Sequence, residues 1–433
     1  MRHFGHLGPS AEESLFELPP EEFHRDSGAD FLAVALGATL YMPADRPTLP
    51  ADITKQAAAG VTSVVVCLED AIADEQVAAA EDNLVATLTE FADLGTPLPL
   101  LFVRVRDPQQ IPSLVRRLGS AAGVVDGFVL PKFTATGGVE YLHAVDRADR
   151  VVGRMFYVMP VVESGAALYA ETRVDELTRM RAVLHRDRER VLAVRIGATD
   201  LCSYFGLRRS PDVSIYDIKV VADLIADVVN VFGRVDGSGF AVSGPVWEYF
   251  TDVERLFKPQ LRATPFHEHD VPELRGHLLS RALDGLIREV QLDRANGLTG
   301  KTTIHPSHVA VVNALSVVPW EEYRDAMDVL GAGRASGVMS SEKRNKMNEI
   351  RPEGTIDNDL PRVTSSCTLP RPSPPHPRRP AGPVPTTSPP SPTREERSDP
   401  CSPRSCPSAS TTRTCRAASG AETRVSTASV SMS

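Results

Sequence analysis

Between residues 31 and 315, short apolar runs alternate with longer segments that repeat apolar residues at helical spacing. The apolar runs are rich in Val, Leu and Ile without polar alternation, which is typical of strands buried on both faces. The segments between them, such as 74–94, 218–232 and 277–295, place their apolar residues on one helical face. We predict eight strands, within 31–42 (its second half), 61–68, 98–104, 127–132, 154–162, 191–197, 239–243 and 301–305.

Eight consecutive strand–helix repeats predict an α/β fold, a TIM-type (β/α)₈ barrel. A doubly wound open sheet is the alternative fold. The absence of a glycine-rich dinucleotide fingerprint at a strand–helix turn makes that alternative the weaker one.

The composition changes sharply after Arg351. Of the 35 prolines, 16 follow this residue, and the same stretch has no Lys, Phe, Tyr or Trp. Its four cysteines lack the paired spacing of a zinc site. A segment that buries so little apolar surface cannot offset its ordering entropy, so we predict a disordered tail. The predicted domains are an N-terminal extension 1–30, the barrel 31–330, a helical or linker segment 331–351 and the tail 352–433.

The charge and hydropathy of the chain limit its partners. The net charge is −9, which argues against nonspecific nucleic-acid binding as the main activity. The sequence contains neither the run of about 18 apolar residues that a membrane span needs nor a readable secretory signal. We therefore expect a cytoplasmic protein with no membrane or nucleic-acid partner.

Charged residues end most of the predicted strands, and in a barrel the active site lies at these ends. Helix capping alone could explain Asp70, Asp200 or Ser164. Capping needs neither Arg nor Lys, however, so several charged residues at one rim indicate a functional site. The residues of this rim are Asp45, Arg46, Glu69, Asp70, Arg104, Arg106, Lys132, Glu163, Asp200 and His305.

Two carboxylates on neighbouring strand ends, Glu163 and Asp200, form a candidate site for a hard cation. Mg²⁺ usually takes one or two carboxylates and completes its shell with water and substrate. Arg104 would hold a substrate carboxylate by two hydrogen bonds. A metal and an arginine around a keto acid are suited to stabilising an enolate. A Schiff base on Lys132, as in a metal-free aldolase, is the alternative.

Seven segments resemble, in order, motifs of the citrate lyase beta-subunit family. This family lies within the HpcH/HpaI aldolase and citrate lyase-like superfamily of Mg²⁺-dependent carbon–carbon lyases on a TIM barrel. The resemblance runs from about residue 35 to 330 and is nearest to the C–C bond lyase branch associated with tellurium resistance and stress response. The segments are 40–47 (LYMPADRP), 68–72 (LEDAI), 103–105 (VRV), 129–132 (VLPK), 162–164 (VES), 197–201 (GATDL) and 300–307 (GKTTIHPS).

The resemblance implies a carbon–carbon lyase acting on a hydroxy or keto carboxylic acid or its CoA thioester. It implies Glu163 and Asp200 as ligands of Mg²⁺ or Mn²⁺ and Arg104 as the anchor of the substrate carboxylate. It also implies a homo-oligomer, with a terminal helix over 319–330 assisting assembly.

The other rim residues receive supporting roles from the same resemblance. Glu69 and Asp70 would lie beside the metal through water or act in proton transfer. Arg46 and Lys132 would meet phosphates or carboxylates of the substrate.

The sequence departs from the family pattern at three places. Cys67 stands where the family usually has Asp, and Arg106 stands where it usually has Asn. The stretch between Glu163 and Asp200 is longer and holds the charged run 185–190. An extra arginine at the rim would favour a more anionic substrate. These departures support a second hypothesis, a catalytically inactive barrel that is a binding or scaffold module in a stress-response or biosynthetic complex.

An ATP- or GTP-binding protein is the third hypothesis. The segment 297–302 (GLTGKT) resembles the end of a phosphate-binding loop, but Ala295 replaces the first glycine and the order is helix then strand. The segment 267–270 (HEHD) is a further metal candidate, although adjacent ligands in a loop are usually solvated.

Overall fold

The computed structural model describes residues 1–70, 72–250, 281–331, 337–341, 346–350 and 369–370. All eight predicted strands are present in one parallel sheet of order β7-β6-β5-β4-β3-β2-β1-β8. Their bounds are β1 (Ala38–Pro43), β2 (Ser63–Cys67), β3 (Leu100–Arg104), β4 (Gly127–Leu130), β5 (Tyr157–Val162), β6 (Val194–Ile196), β7 (Val242–Ser243) and β8 (Lys301–Thr303).

The two edges of this sheet meet, so the predicted barrel is confirmed and the open sheet is wrong. Gly244, directly after β7, forms a parallel bridge with Lys301 of β8. Its N–H donates to Gly300 O at 3.1 Å, and its carbonyl accepts from Thr302 N at 3.0 Å.

Helices separate the strands in the order that the sequence predicts. The segment 74–94 forms a short 3₁₀ turn and an 18-residue helix that buries Leu84, Leu88 and Phe91. The helices are α1 (Pro9–Leu15), α2 (Ala29–Ala35), α3 (Leu49–Ala58), α4 (Val77–Leu94), α5 (Gln110–Leu118), α6 (Gly137–Val152), α7 (Gly165–Leu168), α8 (Arg173–Arg186), α9 (Ala198–Ser203), α10 (Lys219–Phe232), α11 (Arg281–Ala295), α12 (Pro306–Leu315) and α13 (Trp320–Gly331).

Short 3₁₀ turns and strands complete the described structure. The 3₁₀ turns are Asp74–Gln76, Gly119–Val124, Arg188–Arg190 and Ile215–Asp217. Outside the barrel, Phe16–Leu18 pairs with Leu369–Pro370, and Gly337–Ser340 pairs with Met347–Ile350. Apart from Leu369–Pro370, the predicted tail lies outside the described residues, as does the segment 267–270.

None of the helices in the described ranges combines the length and the apolarity needed to cross a lipid bilayer.

The strands are apolar throughout because both of their faces are buried. In β3, Leu101 and Val103 pack against the surrounding helices, whereas Leu100 and Phe102 belong to a second cluster inside the barrel. The same inward alternation brings Arg104, the last residue of β3, to the carboxyl-terminal mouth of the barrel.

The opposite end of the barrel is covered by the start of the chain. Phe23, Leu32 and Ala35 join the interior cluster. The buried His3 ring packs beside them and forms a hydrogen bond with Ala35 O at 2.9 Å. The mouth is therefore the end that remains available for chemistry on the barrel axis.

Candidate active site at the barrel mouth

Three carboxylates surround the Arg104 guanidinium. Its Nη2 lies 2.7 Å from Glu69 Oε2 and 3.2 Å from Glu163 Oε1, and its Nη1 lies 2.8 Å from Asp70 Oδ2. These groups come from the ends of β2, β3 and β5, which the barrel places at one mouth. The structure therefore brings together four of the residues that the sequence singled out.

Arg106 fixes the loop that carries two of these carboxylates. Its Nε donates to Leu68 O at 2.9 Å, and its Nη groups contact Ile72 O and Asp74. Its donors are therefore engaged by this loop, and the expectation that Arg106 favours a more anionic substrate stays a prediction. Cys67 is buried and accepts a weak hydrogen bond from Glu69 N at 3.4 Å.

Lys132 contributes through its main chain as well as its side chain. The residue has φ 47°, a left-handed conformation that costs a non-glycine residue about 1 kcal/mol. Its N–H donates to Glu163 Oε1 at 2.8 Å, and its Nζ donates to Glu69 Oε1 at 2.6 Å. The strained turn thus holds both carboxylates in place.

Glu163 is the most deeply buried acid of this group, with 2% of its surface exposed. Burial raises its pKa to about 7, and the charges of Asp200 and Glu69 act in the same direction. Arg104 and the Lys132 N–H partly offset this increase in pKa. Glu163 therefore holds a proton more readily than an exposed glutamate does, and a bound cation would lower its pKa.

The neighbouring groups also have perturbed pKa values. Burial raises the pKa of Glu69, although Arg104 and Lys132 oppose the change. For Asp70, burial is outweighed by Arg104, Glu69 and Lys132, so its pKa falls. The hydrogen bond to Glu69 raises the pKa of Lys132. A proton at this mouth is therefore held most readily by Glu163 and Glu69.

The charge of Asp200 acts on Glu163, and Gly197 lies directly against the Glu163 side chain. A Cβ atom added to Gly197, at the end of β6, would lie 2.0 Å from Glu163 Oε2. Asp200 follows three residues later in α9, and its Oδ2 is buried without a hydrogen-bond partner. An unsatisfied buried carboxylate oxygen beside a second carboxylate fits a hard cation with oxygen ligands.

Only these two carboxylates form the cation candidate. Among the described residues, no group of three or more His, Cys, Asp or Glu side chains could hold a metal ion. This arrangement is suited to a cation that completes its shell with water and substrate, such as Mg²⁺, and not to a closed zinc site.

Arg46, Ser164 and His305 have partners outside this group. Arg46 pairs with Asp52 at 2.7 Å, and no contact between described residues joins it to Arg104. Ser164 caps α7, and His305 caps α12 while stacking on Phe250. Capping thus accounts for Ser164 and His305.

Two interior residues near the mouth were not predicted from the sequence. Arg195, only 1% exposed, points into the barrel and donates to Thr39 Oγ1 at 2.7 Å and Thr302 Oγ1 at 2.9 Å. Tyr41 lies beside it, with 5.7 Å between the guanidinium carbon and the ring centroid. Both side chains point into the barrel, from β6 and β1. This direction could have indicated them as candidates, but it is known only once the strand register is known.

A closed (β/α)₈ barrel with charged groups gathered at its carboxyl-terminal mouth places the protein in the TIM-barrel class. Within that class, the family model for the C–C bond lyases of the TIM-barrel fold matches residues 30–356, and the chain belongs to that family. No curated protein matches the sequence.

Solved structures are similar to this chain at low sequence identity, and the first of the two that follow shows the same fold. A citrate lyase from Burkholderia xenovorans LB400 is 16% identical, with a TM-score of 0.54 over 83% of this chain and 94% of that chain. Protein CitE from Mycobacterium tuberculosis, in complex with magnesium, acetoacetate and coenzyme A, is 21% identical, with a TM-score of 0.46 over 78% of this chain and 99% of that chain.

Proposed function

We propose that the protein is a Mg²⁺- or Mn²⁺-dependent lyase that cleaves or forms a carbon–carbon bond beside a carboxylate. The substrate is a hydroxy or keto carboxylic acid or its CoA thioester. The observation that carries this proposal is the meeting of Arg104 with Glu163 and Glu69 at the mouth of a barrel of the C–C bond lyase family.

Glu163 and Asp200 are the residues that would hold the metal ion. Their fit rests on the buried, unsatisfied Asp200 Oδ2 and on the raised pKa of Glu163. When bound, the ion supplies Lewis-acid stabilisation of the negative charge that develops next to the carboxylate.

Arg104 would bind the substrate carboxylate. Its two Nη groups pair with Glu69, Asp70 and Glu163. A substrate carboxylate can replace Asp70, which is half-exposed, more easily than it can replace either buried glutamate. Arginine suits this role because its planar fork gives two parallel hydrogen bonds and fixes the orientation of the carboxylate.

Glu69 would move the proton. In the cleavage direction, a base takes the proton of the substrate hydroxyl and the carbon–carbon bond breaks. The electron pair of the broken carbon–carbon bond passes to the leaving fragment, which becomes an enolate. The enolate carbon then receives a proton. Burial raises the pKa of Glu69, although Arg104 and Lys132 oppose the change, so Glu69 accepts and returns a proton more readily than an exposed glutamate.

The metal-free route through a Schiff base on Lys132 is less well supported. A nucleophilic lysine must be unprotonated, and enzymes achieve this by lowering its pKa. Here the hydrogen bond to Glu69 raises the pKa of Lys132 instead.

The nucleotide-binding hypothesis is also weakened. Lys301, the lysine of the phosphate-loop-like segment, is completely buried and pairs with Asp293 at 2.7 Å and Glu289 at 3.0 Å. A lysine held in this way is not available to a phosphate. The cytoplasmic location, the homo-oligomer and the tellurium-associated branch stay predictions.

The decisive experiment combines metal binding with product analysis. The purified protein is incubated with Mg²⁺ and a panel of hydroxy acids and acyl-CoA esters, and released keto acids and aldehydes are identified by mass spectrometry. We expect turnover of at least one substrate, and loss of both turnover and Mg²⁺ binding in Glu163→Gln and Asp200→Asn. The exposed Asp175→Asn is the matched control. Unchanged Mg²⁺ binding in both site variants would contradict the proposal.

The scaffold hypothesis makes the opposite prediction in the same assay. An inactive barrel gives no product with any substrate of the panel, yet its partner captures the parent and the Glu163→Gln variant equally well.

A further inference from the structure

A second cavity lies at the end of the barrel opposite to the candidate active site. It has a volume of about 400 Å³, within the range of small-molecule sites. Residues at the amino-terminal ends of three strands line it: Tyr157 begins β5, Leu192 precedes β6 and Phe240 precedes β7. The first turn of α2 and two residues of the 3₁₀ turn, Arg188 and Glu189, supply another part of the wall.

Arg188 is the unusual residue of this cavity. Its side chain is half-buried, yet it makes no hydrogen bond or ion pair with any described residue, and its Nη1 is buried without an acceptor. Its guanidinium carbon lies 5.1 Å from the centroid of the Phe240 ring. Stacking of this kind leaves the hydrogen-bonding edge of the guanidinium unused.

The neighbouring arginine differs in being ion-paired, although its Nη1 also lacks a hydrogen-bond partner. Arg190, two residues further on, pairs with Asp146 and Asp149, both at 3.0 Å. A half-buried guanidinium loses hydrogen bonds to water. Because the Arg188 side chain gains no protein acceptor in exchange, its burial costs free energy. An anion in the cavity would remove this cost.

The other cavity walls restrict the ligand further. Met155, Val191 and Leu192 give an apolar surface that would contact a hydrocarbon or aromatic body. Asp30 and Glu189 also line the cavity, but both are exposed, so solvent screens their repulsion of an anion. A highly charged polyphosphate is disfavoured by these two acids, whereas a single carboxylate is not.

We propose that this cavity, which we call the base cavity, binds a small carboxylate with an apolar body, and that Arg188 pairs with the carboxylate. The two exposed acids offer a place for an ammonium group, so an amino acid with an apolar side chain is one form of this ligand. The base cavity does not depend on the proposed lyase activity, because none of its residues belongs to the mouth.

Calorimetric titration of the full chain, without divalent metal, tests the proposal. The probes are 3-phenylpropanoate and L-phenylalanine, which differ in the ammonium group. Acetate lacks the apolar body, and 2-phenylethylamine lacks the carboxylate. We expect saturable binding of at least one of the first two at millimolar concentration and at least about tenfold weaker binding of the last two.

Two variants separate the base cavity from carboxylate binding at Arg104. Arg188→Gln is expected to weaken binding by about tenfold or more, and Ala33→Leu is expected to weaken it by filling the cavity. Arg186→Gln changes an exposed arginine of the same charged run and is the matched control, with unchanged affinity. Thermal unfolding of each variant establishes that it is folded.

The proposal is overturned if neither carboxylate probe binds the parent. It is also overturned if a folded Arg188→Gln variant binds as tightly as the parent, since binding then takes place at the mouth or elsewhere. Preference for L-phenylalanine over 3-phenylpropanoate would assign a role to Asp30 or Glu189.

Discussion

Gly197 is the residue whose lack of a side chain determines the position of Glu163. A Cβ atom there would lie 2.0 Å from Glu163 Oε2 and 2.6 Å from Glu163 Cβ, so the carboxylate would have to move. We expect Gly197→Ala to fold and to bind Mg²⁺ at least about tenfold more weakly than the parent, measured by calorimetry.

Gly123→Ala is the control for this substitution, because nothing lies within 4 Å of its added Cβ atom. Equal Mg²⁺ affinity of Gly197→Ala and the parent would show that Glu163 is not a ligand or can move freely.

His3 makes the stability of the fold depend on pH. Burial lowers its pKa from 6.5 to about 4, although the hydrogen bond to Ala35 opposes this. The unfolded chain therefore binds more protons between these two values, and stability decreases as the pH falls from about 6.5 to about 4. One such histidine accounts for at most about 3 kcal/mol of this loss.

We expect His3→Gln to reduce the dependence of the unfolding free energy on pH, measured by urea denaturation across this interval. His308, whose pKa burial also lowers to about 4, retains part of the slope. The exposed His143→Gln should keep the full slope of the parent. An unaltered slope in His3→Gln would exclude His3 as a source of the acid sensitivity.

Sequence reasoning could place Arg104, Glu163 and Asp200 because each follows a predicted strand. It could not identify the hydrogen-bond partners of the rim residues. The donors of Arg106, for example, are used by a loop more than thirty residues away in the chain. The roles of the Lys132 main chain and of Arg195 depend on a left-handed turn and on strand register, neither of which a single sequence displays.

At the level of elements, the sequence predicted all eight strands but overestimated several lengths. The run 191–197 contains Val194–Ile196, and 239–243 contains Val242–Ser243. Leu192 and Ala193 are apolar because they pack inside the barrel, not because they belong to β6. An apolar run reports burial, whereas a strand ends where parallel pairing ends.

A buried ionic cluster joins β8 to α11. Lys301 is completely buried between Glu289 and Asp293, and Arg209 also pairs with Glu289 at 2.6 Å. Removing one partner leaves a charge buried without compensation. We expect Lys301→Met to lower the unfolding free energy by about 3–5 kcal/mol in urea denaturation.

The exposed Lys55→Met of α3 is the matched control and should change stability by less than about 0.5 kcal/mol. A similarly small effect of Lys301→Met would mean that the two acids become protonated at little cost.

The whole molecule combines one barrel with two chemically different ends. The mouth gathers Arg104 and its three carboxylates, whereas the base is covered by α2 and carries the unpaired Arg188. Strand β6 and the residues before it join these ends, since Leu192 lines the base cavity and Gly197 contacts Glu163. A ligand in the base cavity would therefore contact the same strand region that positions the proposed metal ligand Glu163.

The barrel is expected to fold without the final residues of the chain. Met1–His376 form one compact unit, and the family match ends at residue 356. The segment 377–433 has no Lys, Phe, Tyr or Trp to add to a core. We expect the chain 1–376 to keep the parent's unfolding free energy within about 1 kcal/mol. Its urea m-value should be unchanged, because m follows the surface exposed on unfolding. A chain ending at residue 318, which lacks α13, is the destabilised control; a lower m-value for 1–376 would mean that the tail folds with the barrel.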